Sequence, residues 1–394
     1  AHERPPLNLA IVIDRSGSMS GQPLKEALRC ARFMIDSLGP SDRASLVVYD
    51  DQVDVLIPST PVVDRSRFHK ALRGVTSGGS TALHGGWLSG AEQVSAHLSD
   101  RSISRVLLLS DGQANHGLTD RDQIRQQCAA LAEAGVSTST YGLGRHFNED
   151  LMGEMARAGG GNSYYGQSAE DLMDPFREEF DLLSAMFARR IRLSLTAAPG
   201  IGLDVLNGYT RTDGAWVLPD LAHEGEAWAL ARLTVPAGLT TGSSALLTAS
   251  VTMVDMSGES LTVTSAPLVL PALPTPAFGV VAEDDLVRRR ALELEAARYQ
   301  ERAREAALKG EWDRVQAIIS EAKSKSADNE WIQQSLEVLS GYARKKQTQA
   351  FSKEAYYSSR KMRQRLTSQS ESVWSDSEEE PTFLRRKREQ GRKR

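Results

Sequence analysis

Two short runs without a single polar residue constrain this chain most. Residues 9–13 read Leu-Ala-Ile-Val-Ile and residues 106–109 read Val-Leu-Leu-Leu. A strand apolar on both faces must be covered on both, which points to the interior of a parallel sheet. The segments between fit that reading. Residues 23–38 place Leu24, Ala27, Leu28, Ala31, Met34, Ile35 and Leu38 on one helical face, and helical patterns recur at 67–72, 83–98, 122–134, 149–158 and 171–188. Residues 44–49 and 53–57 flank the polar turn Asp50-Asp51-Gln52 as a hairpin would, and residues 136–141 supply a further strand. The expected fold over residues 1–188 is α/β, a mostly parallel sheet with helices on both faces. The run Gly159-Gly160-Gly161 is expected as a loop before Ser163-Tyr164-Tyr165.

The period changes near Arg189. Ile191, Leu193 and Leu195 alternate with Arg192 and Ser194, and the alternation returns at residues 228–233, 245–256 and 261–270. With turns at Pro199-Gly200, Asp213-Gly214 and Ser257-Gly258, residues 189–278 are expected to form a β-sandwich-like domain. It is short for a complete sandwich, and strands from an upstream segment would complete it. The most apolar stretch, residues 268–281, is broken by Pro271, Pro274 and Pro276, so it reads as a linker and not as a membrane span.

Residues 279–345 are expected to be a helical hairpin or three-helix unit. Gly310 interrupts an Ala-, Leu-, Glu- and Arg-rich helix. Trp312, Val315, Ile318 and Ile319 begin a second apolar face, and Trp331, Ile332, Leu336, Leu339 and Tyr342 a third. Apolar periodicity fades at Lys345, so residues 346–394 are expected to be a disordered basic tail with an acidic, Ser-rich island. From Gly341 onward there are 15 Lys or Arg against 7 Asp or Glu, a net of +8, so the rest of a chain whose net charge is -4 carries -12. Such a tail could meet nucleic acid, an acidic partner or the protein's own body. Clustered charge without interleaved aromatics or a recognised fold gives little support for nucleic acid. Cys30 and Cys128 both fall in helical patterns, which favours a reducing, cytoplasmic setting over a disulfide scaffold. The chain begins without methionine, which leaves room for an upstream segment.

Five oxygen-bearing residues sit where strands or glycine turns give way to loops: Asp14, Ser16 and Ser18 after the first strand, Thr81 after Gly78-Gly79-Ser80, and Asp111 after the second apolar strand. In an extended segment Asp14, Ser16 and Ser18 point the same way. Two carboxylates and three hydroxyls suit Mg²⁺ or Mn²⁺ and are too hard a set for zinc or copper. No Gly-x-Ser-x-Gly elbow, P-loop, His-Glu-x-x-His motif or complete Gly-x-Gly-x-x-Gly is present, and sequence fixes no base beside Ser16. His84 and His116 are expected in loops near the site, as ordinary surface histidines.

The string Ile11-Val12-Ile13-Asp14-Arg15-Ser16-Gly17-Ser18-Met19, with Thr81 and Leu109-Ser110-Asp111-Gly112, resembles the metal-ion-dependent adhesion site of von Willebrand factor A domains, a Rossmann-like fold. The resemblance covers residues 7–188. It implies that Ser16, Ser18 and Thr81 ligate the cation directly, that Asp14 and Asp111 act largely through water, and that a partner's Asp or Glu completes the shell. The order of parts is also similar to bacterial and archaeal proteins related to calcium-activated chloride channel regulators and inter-alpha-trypsin inhibitor heavy chains. The implied role is a non-enzymatic, metal-dependent protein-interaction scaffold. An adaptor subunit of an AAA+ ATPase complex is the alternative. In the tail, Ser375 and Ser377 lie among acidic residues, and Thr348, Thr367 and Thr382 are further candidates for a Ser/Thr kinase. The resemblance to archaeal relatives implies reading of a phosphothreonine by a forkhead-associated domain protein.

Overall fold

The computed structural model describes residues 4–143, 147–166, 172–223, 226–236 and 243–364. They divide into two compact units, one within residues 4–189 with 255–259 and one within residues 190–254 with 260–364.

In the first unit, β1 (Leu7–Asp14), β2 (Arg43–Tyr49), β3 (Val53–Pro61), β4 (Ile103–Ser110), β5 (Val136–Leu143) and β6 (Gly160–Gly166) form one sheet in the order β3-β2-β1-β4-β5-β6. Only the β2–β3 hairpin is antiparallel. All eight residues of β1 and all eight of β4 are buried, as their apolar runs require. The helices are α1 (Gln22–Ser37), α2 (Arg65–Arg73), α3 (Leu83–Ser95), α4 (Arg121–Glu133), α5 (Glu149–Ala158) and α6 (Met173–Ser184). Leu7, Leu9, Ile11 and Ile13 of β1 share a core with α1, α2 and α6. The opposite face of β1 meets α3, where a Cβ on Gly90 would come within 2.3 Å of Val12.

Two expected element assignments fail in this unit. The glycine run is not a loop, because Gly160–Gly166 is the sixth strand. Its glycines allow the close approach, since a Cβ on Gly161 would lie 2.1 Å from the carbonyl oxygen of Thr138 on β5. The last helix also stops at Ser184 and does not continue to Ala188, because β7 (Met186–Ala197) has already begun.

A buried charge ties α6 to three strands. Glu179 accepts from Arg105 Nη1 (2.7 Å) and Ser139 Oγ (2.6 Å) on one oxygen, and from Asn162 Nδ2 (2.9 Å) and Tyr164 Oη (2.7 Å) on the other. Burial alone would raise this carboxyl, but Arg105, Ser139 and Asn162 outweigh it and hold the group below its ordinary 4.5.

The second unit carries β7 into a seven-stranded sheet with β9 (Arg211–Thr212), β10 (Ala215–Val217), β11 (Leu221–Ala222), β13 (Ser243–Asp255), β14 (Ser260–Thr264) and β15 (Leu268–Pro271). The separate pair is β8 (Gly202–Val205) with β12 (Ala231–Thr234). The stretch read as a linker therefore contains a strand, β15, paired with β13, and one helical turn, α7 (Thr275–Phe278). Further helices follow: α8 (Asp285–Leu308), α9 (Trp312–Lys325) and α10 (Glu330–Arg344).

The expected loss of structure at Lys345 does not occur, because α11 (Thr348–Gln364) packs with these helices through buried Phe351, Ala355 and Met362. Its remaining inner face is small and polar, which hid it in the sequence. Ser335 and Ser358 hydroxyls lie 2.5 Å apart, and Arg304 Nε donates to Ser352 Oγ at 2.8 Å. Thr348 is the half-buried first residue of α11. Thr367, Ser375, Ser377 and Thr382 lie outside the described residues. No helix among the described residues is long and apolar enough to cross a membrane.

Removing one partner of the Glu179 network should be costly. Glu179→Ala should lower unfolding free energy by about 3–5 kcal/mol in chemical denaturation, since it removes the buried carboxylate that Arg105, Ser139, Asn162 and Tyr164 share. The folded-state value is depressed, so the wild-type contribution is complete above pH 4.5 and is lost as pH falls through the lower folded-state value. Glu179→Gln should flatten that acid limb of the stability profile.

Candidate metal centre

The sheet order places β1 between β2 and β4, so the connections diverge at the C-terminal ends of β1 and β4. In open α/β sheets this is where ligands bind. Asp14 is the last residue of β1, opposite Tyr49, and Asp111 follows the last residue of β4. Thr81 arrives on the loop between α2 and α3.

Backbone bonds close these loops into a ring. Gly17 N–H donates to Gly79 O (3.1 Å), Gly78 N–H to Arg15 O (2.9 Å), and Ala82 N–H to Asp50 O (2.7 Å). Thr81 O accepts from Asn115 N–H (3.2 Å) and His116 N–H (3.1 Å), tying it to the loop that follows Asp111. The Asn115 side chain in turn accepts Thr81 N–H at 2.8 Å. Arg15 clasps the rim, donating to Asp50 (3.0 Å) and Asp54 (2.6 Å). Gly79 carries φ +67°, and a Cβ there would lie 2.0 Å from Asp51 Oδ1. Only glycine fits this crossing.

Inside the ring, Ser16 Oγ and Ser18 Oγ lie 3.1 Å apart. Asp14, Ser16, Thr81 and Asp111 are buried, and Ser18 is exposed. Asp14 accepts from Ser16 N–H (2.9 Å) on one oxygen and from Ser110 Oγ (2.7 Å) on the other. Burial pushes its carboxyl up to about 6, against the lowering effect of these bonds, and the nearby charge of Asp111 adds to the rise. Two buried acids and three hydroxyls with no cationic side chain among them are electrostatically suited to a small divalent ion. Among the described residues no group of three or more His, Cys, Asp or Glu could hold a metal, so a cation here must use the hydroxyls.

The structure thus brings the strand-end groups and the Thr81 loop together. Residues not singled out in the sequence support them. Ser110 bridges Asp14 and Gly112 N–H (2.8 Å), and its signal was a hydroxyl directly after the apolar run 106–109. Tyr49 lies fully buried beneath α3, where a Cβ on Gly86 would come within 2.2 Å of its ring. Burial, then the charge of Asp14, pushes its hydroxyl well above its ordinary range. The histidines divide. His84 belongs to α3 and not to a loop, with Nε2 2.7 Å from Gln127 Oε1, and His116 is exposed in the loop after Asp111. Cys30 and Cys128 are buried free thiols, and burial raises Cys30 to about 12.

Gly79→Ala should lower unfolding free energy by at least about 1 kcal/mol, from the left-handed backbone and from the displacement of Asp51. A thermal melt measures it, and an unchanged midpoint would contradict the assigned crossing.

Comparison with known proteins agrees with this fold. The chain is similar to an uncharacterised Synechocystis protein, sll0103, at 30% identity over 203 residues, 52% of this chain and 48% of that protein. It is also similar to human inter-alpha-trypsin inhibitor heavy chain H4, at 25% identity over 164 residues, 40% of this chain and 18% of that one. It therefore spans about half or less of these relatives. In fold it is similar to a von Willebrand factor type A protein from Catenulispora acidiphila, with TM-score 0.66 at 16% identity, covering 84% of this chain and 82% of that one. The family model for the von Willebrand factor type A domain matches residues 8–178, and with the strand order and the loop ring described above it identifies this part of the chain as such a domain.

Proposed function

We propose that the protein is a non-enzymatic scaffold that captures a partner's Asp or Glu through a divalent cation held by Asp14, Ser16, Ser18, Thr81 and Asp111. The supporting observation is the ring of backbone bonds that draws three separate loops around two buried acids. The von Willebrand factor type A domain is a metal-dependent protein-interaction module, and this chain carries its five oxygen-bearing positions. Ser16, Ser18 and Thr81 would contact the ion, and Asp14 and Asp111 would offset its charge. The ion itself would supply a Lewis-acidic anchor for the incoming carboxylate. All-oxygen chemistry favours Mg²⁺ or Mn²⁺.

A single bridging carboxylate fixes direction, and most affinity must come from the rim. The Arg15–Asp50–Asp54 clasp is placed to contribute there. Two buried unpaired thiols support a reducing, cytoplasmic setting. Phosphorylation at Thr367, Ser375, Ser377 or Thr382 would add charge to the tail and could recruit a forkhead-associated domain protein. Thr348, half-buried at the head of α11, is a poorer kinase target.

Pull-down from lysate with Mg²⁺ should recover a partner that chelator releases, and Asp14→Ala or Thr81→Ala should abolish its capture while leaving the fold intact by circular dichroism. Equal capture in chelator would contradict the proposal. Ser110→Ala should weaken Mg²⁺ binding in calorimetry by roughly 10–100-fold, the usual effect of removing a group that orients a metal site. Ser110→Thr should restore it.

A further inference from the structure

The loop that follows Asp111 carries a side-chain donor that the fold holds in place and does not use. Asn115 Oδ1 accepts Thr81 N–H at 2.8 Å, while Asn115 N–H and His116 N–H donate back to Thr81 O at 3.2 and 3.1 Å. The amide is thus locked to the residue that supplies a candidate ligand. An amide atom that accepts must be the oxygen, so this bond also settles which way the group is turned, and Nδ2 with its two N–H groups is the free end. Among the described residues nothing accepts from it.

The amide is close to the site and open to it. Bond lengths within the group keep Nδ2 within about 5.5 Å of Thr81 N. Thr81 is buried whereas Asn115 is exposed, so an incoming group can reach the amide.

A carboxylate that gives one oxygen to a cation keeps a second charged oxygen, which sheds water on docking and must be met by a donor. The loops of the site offer no free cation for it. Arg15 is the only Lys or Arg in residues 14–21, 50–52, 74–82 and 111–120, and Asp50 and Asp54 already neutralise it. A neutral amide donor remains, fixed at Thr81.

We propose that Asn115 is a specificity-determining residue of the metal centre, donating through Nδ2 to the oxygen of a partner's Asp or Glu that the cation does not take. The inference rests on the carboxylate-capture reading above. It makes the site select Asp or Glu over Asn or Gln, whose amide would present N–H groups where the second oxygen is needed.

Water-proton relaxation of the full chain loaded with Mn²⁺ tests it, with acetate as the probe, because a carboxylate that reaches the ion displaces water and lowers the rate. Wild type should respond to acetate. Asn115→Ala and Asn115→Asp should each need at least about ten-fold more of it, the worth of a hydrogen bond to a charged oxygen. Asn115→Asp retains an acceptor for Thr81 N–H and should hold Mn²⁺ at least as tightly as wild type, which separates the donor from the tether. An Asn115→Asp chain that takes acetate like wild type would overturn the proposal, and so would a loss confined to Asn115→Asp, which is charge repulsion alone. A wild type that holds no Mn²⁺, or holds it and ignores acetate, would overturn the carboxylate-capture reading and this proposal with it.

Discussion

The parallel pairing of β1 on both sides, to β2 and to β4, is the constraint on which the candidate site depends. Parallel crossovers put helices on both faces of β1, and leucine, alanine, isoleucine and valine supply the burial that this demands. It also forces the chain to leave β1 at the point where the strand order reverses. Asp14 is therefore carried into an enclosed position by the sheet itself. A carboxylate placed there is expensive to ionise alone, as the upward push on its titration shows, and two hydrogen bonds offset only part of that cost. A divalent ion bound within reach would stabilise its charged form.

The loops are as specified as the sheet. Gly17, Gly78 and Ala82 each commit a backbone N–H to crossing from one loop to another, so the position of Thr81 does not depend on local turn preference. On the other half of the sheet, the Glu179 cluster fixes α6 against β4, β5 and β6 by charge and hydrogen bonding. Backbone bonds thus fix the loops at the ends of β1 and β4, and a satisfied buried ion fixes the helix packed on the other half of the sheet.

Much of this was legible in the sequence where side-chain chemistry and element type agree. The apolar runs of β1 and β4 and the 3.6-residue period of α1 speak for themselves, and the five oxygen-bearing residues of the candidate site stand out by their places at strand ends and glycine turns. The glycine-led β6 did not, because its assignment depends on the approach of the Thr138 backbone and not on any apolar signal of its own. Helix α11 was hidden for a related reason. Its buried face includes Ser352, Ser358 and Ser359, whose hydroxyls can be buried because neighbouring helices and its own backbone accept or supply hydrogen bonds. Ser110 and Tyr49 are consequences of register, visible only once β1 is set beside β2 and β4.

The central claim is that the five residues at the ends of β1 and β4 and on the Thr81 loop hold one divalent cation. An anomalous difference map from crystals grown with Mn²⁺ tests it most directly. A single strong peak is expected, bounded by the hydroxyls of Ser16, Ser18 and Thr81, with Asp14 and Asp111 behind it. A map with no peak there, or with Mn²⁺ bound through other residues, would contradict it.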